Sequence, residues 1–142
     1  MPRRNRSPPS GGGISRYEDF SVITRNSLLH ALADNNKQLS NDNIEHLMQA
    51  YDSLSTFSDV NPALIRIAAD PAIQAVIFSN GTKTMVSNSV LRSKDLLPHA
   101  NVFQAIVTVD EIQQYKPSKA SYEHLAKQTG QDPSEMNKLL AD

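Results

Sequence analysis

At 142 residues the chain is long enough for one ordinary domain but short for a core carrying a further inserted unit. Its formal net charge of -1 gives no case for a nucleic-acid binder, and the lack of cysteine excludes disulfides, thiolate metal sites and cysteine nucleophiles. Although 39% of residues are apolar, no run approaches the roughly 18 consecutive apolar residues of a membrane span, so no membrane partner is expected either.

The head of the chain differs from the rest. Arg3, Arg4 and Arg6 run into Pro8, Pro9 and a glycine triplet rather than into an apolar segment, which is not the pattern of a secretory signal. A cytoplasmic protein is therefore expected. Residues 1–16 hold three of the eight prolines and three of the five glycines, with little to bury, and read as a disordered basic head.

From Tyr17 the composition changes. Phe20, Ile23, Thr24, Ser27, Leu28 and Leu32 mark one side of a helix, and Asn35, Asn36 and Lys37 break it. Ser40 caps a second helix with Ile44, Leu47, Met48, Tyr51 and Leu54 on one apolar face. Asn61-Pro62 reads as the cap and first turn of a third, short helix. Residues 75–78 (Ala-Val-Ile-Phe) are a non-alternating apolar run, the pattern of a strand covered on both faces. Ser79-Asn80-Gly81 forms a turn and Thr82 caps the next helix, which Leu96-Leu97-Pro98 closes. Residues 103–109 make a second strand. Lys116-Pro117 opens a last helix through Tyr122, Leu125 and Ala126, stopped by Gly130.

Strand, helix, strand, helix implies a right-handed crossover and a parallel pair. Two parallel strands make a poor core, however, and a strand of buried character left at an edge invites association. The residues alone therefore suggest an incomplete α/β fold with an exposed strand edge through which the chain could self-associate.

Several segments together resemble the 2-haloacid dehalogenase branch of the haloacid dehalogenase-like hydrolases. Tyr17 through Arg25 resembles the start of a cap helix in that family, and Ser79-Asn80-Gly81 its second motif. Val107 through Glu111, continuing to Tyr115-Lys116-Pro117 with Tyr122 six residues after the lysine, resembles its third strand and third motif. The resemblance implies an incomplete Rossmann-like core with part of a helical cap: 17–60 as partial cap and 61–142 as partial core. It further implies hydrolytic cleavage of a carbon–halogen bond in a small anionic 2-haloacid, without a metal or other cofactor. Ser79 and Asn80 would hold the substrate carboxylate, while Lys116 and Tyr122 would be the catalytic residues that neutralise and order the surroundings of an attacking aspartate. A hydroxyl, an amide and a fixed positive charge at the carboxyl end of a parallel strand, beside a helix start, suit an anion on physical grounds too.

The chain departs from the family at both ends. The family's first motif is an apolar strand ending in Asp, with Thr four residues on, and no such strand precedes Tyr17. Asp19 has Thr24 five residues later within a helical segment, and Asp110 matches the acidic end of the third strand instead. Arg25 reads as a surface residue, not as the family's cap arginine. The fourth strand and last motif that the family carries after the segment resembling 132–136 have no counterpart in Asn137 through Asp142. The chain in this form is therefore expected to be inactive, with Lys116 and Tyr122 vestigial. The alternatives are an active hydrolase of which this sequence is a fragment, and a non-catalytic binding or self-association module. His30, His46, His99 and His124 show no metal-ligand spacing and read as surface or helix-flank residues.

Overall fold

The computed structural model of the protein describes residues 16–132 and 134. The expectation of a disordered head at 1–16 falls, but for its last residue, outside the described residues, as do most of the residues following Asp132. The helical first half comprises α1 (Phe20–Asp34), α2 (Asn41–Ala50) and α3 (Val60–Ala69). It is followed by β1 (Ala75–Ser79), α4 (Lys83–Arg92), β2 (Phe103–Thr108) and α5 (Lys119–Thr129).

Local chemistry sets most of these boundaries. Asp19 starts α1: its carboxylate accepts from the backbone N–H groups of Ser21 and Val22, so it is a cap rather than a residue inside the helix. At the other end Asn36 takes a left-handed conformation (φ 52°), and Lys37 N–H donates back to Leu32 O at 2.8 Å. Ser40 caps α2 through Asn43 N–H, and Thr82 caps α4 through Met85 N–H. For α3 the expectation is corrected. Asn61 lies in the first turn rather than at the cap, and Asp59 precedes the helix without a side-chain bond. The Asn61 amide oxygen instead meets His99 Nε2.

α4 stops at Arg92, earlier than Leu96-Leu97-Pro98 suggested, and Leu97–Val102 forms a separate 3-10 turn. Ser93 explains the early stop. It is almost fully buried, its hydroxyl donates to Leu54 O at 3.3 Å, and it accepts from the N–H groups of Asp95 and Leu96. Asp52 reinforces this junction by accepting from Asn88 Nδ2 at 3.1 Å and pairing with Arg92 at 3.3 Å. The helical half is thus joined to α4 by hydrogen bonds that no sequence period reports.

β1 and β2 pair in parallel, with Val76 opposite Ala105 and Ser79 opposite Thr108, and α4 crosses between them. α4 packs on β2. The buried apolar residues are few: Ile44, Leu64, Val90, Val107, Val109, Leu125 and Ala126. All five residues of β1 are only half-buried, so the strand has the composition of a covered strand without the full covering. Likewise α1 buries no residue, and Leu47, Tyr51 and Leu54, expected on the packed face of α2 and its extension, remain exposed.

Candidate functional site

Parallel strands aim their carboxyl ends, and the loops that follow, at one rim of the sheet, where helix N-termini also point. At that rim β1 ends in Ser79, whose Oγ accepts from Gly81 N–H at 3.0 Å and so tightens the turn into α4. Gly81 is buried in this turn. A Cβ at this position would stand 3.3 Å from Ser79 Oγ and 3.4 Å from a Val86 methyl.

Asn80, next in the turn, reaches across to the segment after β2. Its Oδ1 accepts the backbone N–H of Lys116 at 2.9 Å. The Lys116 ammonium in turn donates to Phe78 O at 2.9 Å and sits 4.6 Å from the centre of the Phe78 ring, a cation–π contact. Tyr122, on the first turns of α5, packs edge-on against the same ring with centroids 5.7 Å apart. The four residues singled out from sequence therefore converge on the end of β1, and each is half-buried.

Phe78 is the residue that sequence reasoning missed: it reads as strand filler, yet it touches both Lys116 and Tyr122. No local signal could have marked it, because Lys116 lies 38 positions away in sequence. Among the described residues no carboxylate forms an ion pair with Lys116.

The acidic residues weighed from sequence are all engaged elsewhere. Asp110 lies just past β2, in the 3-10 turn Val109–Glu111, and accepts the Tyr17 hydroxyl at 3.0 Å. Burial, together with the hydrogen bond to Asp110 and its negative charge, pushes the Tyr17 phenol well above its ordinary value. Asp19 is held below the usual carboxylate range, chiefly by the Ser21 hydroxyl. Beside the rim, a cleft of about 580 Å³ opens between α1, α2 and the start of α4, with Asp19, Arg25, Thr82, Met85 and Asp110 in its wall. Arg25, expected as a plain surface residue, instead lines this cleft and pairs with Glu45. His124 is also not a surface residue. Its side chain is 9% exposed, and Nε2 lies 3.3 Å from Glu111 at an angle that makes no hydrogen bond. No cluster of three or more metal-ligating side chains occurs among the described residues.

A family model described as a haloacid dehalogenase-like hydrolase matches residues 11–136. Among curated proteins the chain is similar to the (S)-2-haloacid dehalogenase of Xanthobacter autotrophicus, 26% identical over 87% of this chain and 46% of that protein. It is also similar to (S)-2-haloacid dehalogenase 1 of Pseudomonas sp. (strain CBS-3), 29% identical over 87% of this chain and 52% of that protein. Two solved structures share the fold at 26% identity. The L-2-haloacid dehalogenase RSc1362 has a TM-score of 0.73, covering 83% of this chain and 50% of that one. The Xanthobacter autotrophicus L-2-haloacid dehalogenase with chloropropionic acid covalently bound has a TM-score of 0.72, covering 84% of this chain and 46% of that one. The chain thus spans about half the length of the relatives it matches, in keeping with its incomplete Rossmann-like core. With a match running from before α1 to beyond α5, and a parallel pair whose turn and lysine meet at one rim, the chain belongs to the haloacid dehalogenase-like hydrolases.

Proposed function

We propose that this chain carries the substrate-carboxylate side of a 2-haloacid dehalogenase-type site, and that the described residues bind small 2-haloacid anions without by themselves turning them over. One observation carries the reading: the Lys116 ammonium is fixed at the end of β1 by a carbonyl and a ring, with no described carboxylate paired to it. A half-buried cation held in place by fixed partners attracts an anion more strongly than a mobile one in water.

In this reading Ser79 and Asn80 hold the substrate carboxylate, Lys116 supplies the compensating charge, and Tyr122 fixes the Phe78 ring on which Lys116 rests. Residues 17–60 correspond to part of a cap and 61–142 to part of a core. Hydrolytic displacement of halide needs a carboxylate to attack the halogen-bearing carbon and form an ester that water then opens. Asp19 and Asp110, the two weighed for that role, are committed to a helix cap and to Tyr17.

The test is paired. Titration with 2-chloropropionate should shift the amide resonances of Ser79, Asn80 and Lys116, and Lys116→Ala should abolish the response. Halide release from the same compound should stay at background. Silent resonances would remove the anion site, and turnover at enzymatic rates would remove the inactive assignment.

A second reading rests on the sheet. Among the described residues β1 pairs only with β2, so its other edge has no described partner, and the strand is apolar and half-exposed. Such an edge favours self-association. Sedimentation of a single monomeric species across a wide concentration range would count against it.

A further inference from the structure

The segment that delivers Lys116 is tied at both of its ends to the lead-in of α1. Tyr115, the residue before the lysine, donates its hydroxyl to Glu18 O at 2.6 Å. Tyr17 donates its own to Asp110 Oδ1 at 3.0 Å, at the opening of the same segment. The two rings pack on each other with centroids 5.3 Å apart, and Phe20 meets Tyr115 edge-on at 6.4 Å. The contact is reciprocal, since each phenol packs on the other and bonds to the other's chain segment, across sequence separations of 93 and 97 residues.

Between these two anchors the backbone is tightly wound. Ile112 N–H donates to Val109 O at 3.1 Å, Gln113 N–H to Asp110 O at 3.3 Å, and Gln113 adopts a left-handed φ of 55°. A segment this short has little slack, so a displacement of Asp110 or Tyr115 is carried to Lys116. From the other side the Lys116 backbone is fixed by its bond to Asn80.

We propose that Tyr17 and Tyr115 form a clamp that makes the placement of the Lys116 ammonium depend on the docking of α1, so that both tyrosines are positioning residues for the anion site. The proposal rests on the functional reading above for what Lys116 does, but not for where it is held. It assigns a role to two residues whose hydroxyls bond to Asp110 and Glu18 rather than to the lysine or the turn at Ser79. The physical reason is geometric: an ammonium seated on one carbonyl and one ring loses both if its backbone moves by about an ångström, because hydrogen bonds and cation–π contacts fall off over that distance.

The experiment uses the whole 142-residue chain with 13C-labelled lysine and 15N backbone labelling. Tyr17→Phe, Tyr115→Phe and Tyr115→Ala are compared, with far-UV circular dichroism as the control for folding. The Lys116 side-chain and amide resonances should move in all three variants, most in Tyr115→Ala, with the ring-retaining Tyr115→Phe intermediate. Tyr17→Phe decides the matter, because a hydroxyl serving only to stabilise α1 would leave the Lys116 resonances in place. Unmoved Lys116 resonances in folded Tyr17→Phe and Tyr115→Phe overturn the clamp. In parallel, 2-chloropropionate affinity should fall about fivefold in Tyr115→Ala, the scale of one lost hydrogen bond. If the unaltered chain does not respond to 2-chloropropionate, the anion reading fails while the resonance comparison still decides the clamp.

Discussion

Thr108 and Ser79 stand opposite each other at the ends of the paired strands, yet their hydroxyls fare differently. Ser79 Oγ accepts the turn N–H of Gly81, whereas Thr108 Oγ1 is buried without a partner. An unsatisfied buried hydroxyl is a cost that a methyl group of similar size removes. Thr108→Val should therefore stabilise the chain by about 1 kcal/mol, read as a shift in the urea midpoint at constant slope; a destabilised variant would show that the hydroxyl has a partner after all. Tyr17 offers a second check at this scale. Its folded-state phenol is raised above the ordinary value of 10.0, so the stabilisation that it brings is complete below that pH and is lost as the pH rises above it. Tyr17→Phe should remove absorbance change only from the late, alkaline end of a spectrophotometric titration, and Asp110→Asn should bring that late phase to lower pH.

At the scale of elements, the capping residues govern where each helix begins and ends. Gly130 closes α5 in a left-handed conformation (φ 68°), with Gln131 N–H donating to Ala126 O at 2.9 Å. A Cβ there would touch nothing, so the penalty of Gly130→Ala is purely conformational. It should come to about 1 to 2 kcal/mol of stability by thermal melting. A result near zero would mean that the end of α5 rearranges freely. Asp19 predicts the acid behaviour of α1. Its carboxyl is held down, first by the Ser21 hydroxyl, so the capping contribution is present above the ordinary carboxylate range and fades as the pH falls through the lowered value. Helical signal lost on acidification should be smaller in Asp19→Ala, which has already lost the cap; equal losses in the two proteins would sink this assignment.

For the molecule as a whole, the balance between buried and exposed apolar groups is unusual. Among the described residues seven apolar side chains form the buried set, while Phe57 is 86% exposed and Leu54, Leu91 and Ile65 are each more than half exposed. Hydrophobic burial supplies most of the driving force for folding, at roughly 25 cal/mol per Å². A chain with so little of it should show a broad unfolding transition and bind a hydrophobic dye such as anilinonaphthalene sulfonate in its folded state. A steep transition with no dye binding would indicate that these side chains are covered. None of the described helices is long and apolar enough to cross a membrane.

Much of this structure was legible in the linear sequence because its determinants are local. Ser40 and Thr82 cap helices through their neighbours three residues on, Gly130 tolerates the left-handed turn that ends α5, and the apolar run at β1 forms a strand. The order of Ser79, Asn80, Lys116 and Tyr122 along these elements likewise carried the family resemblance. What only the tertiary structure decided depends on residues far apart in sequence. Ser93 ends α4 because Leu54 O is there to receive its hydroxyl, the His124 side chain is mostly covered although it lies near Glu111 at the surface, and Phe78 becomes a seat for Lys116 because β1 meets the segment after β2. Periodicity reports which face of an element is apolar, but not what stands opposite it. For the same reason the apolar faces of α1 and α2 promised a covering that the described residues do not supply.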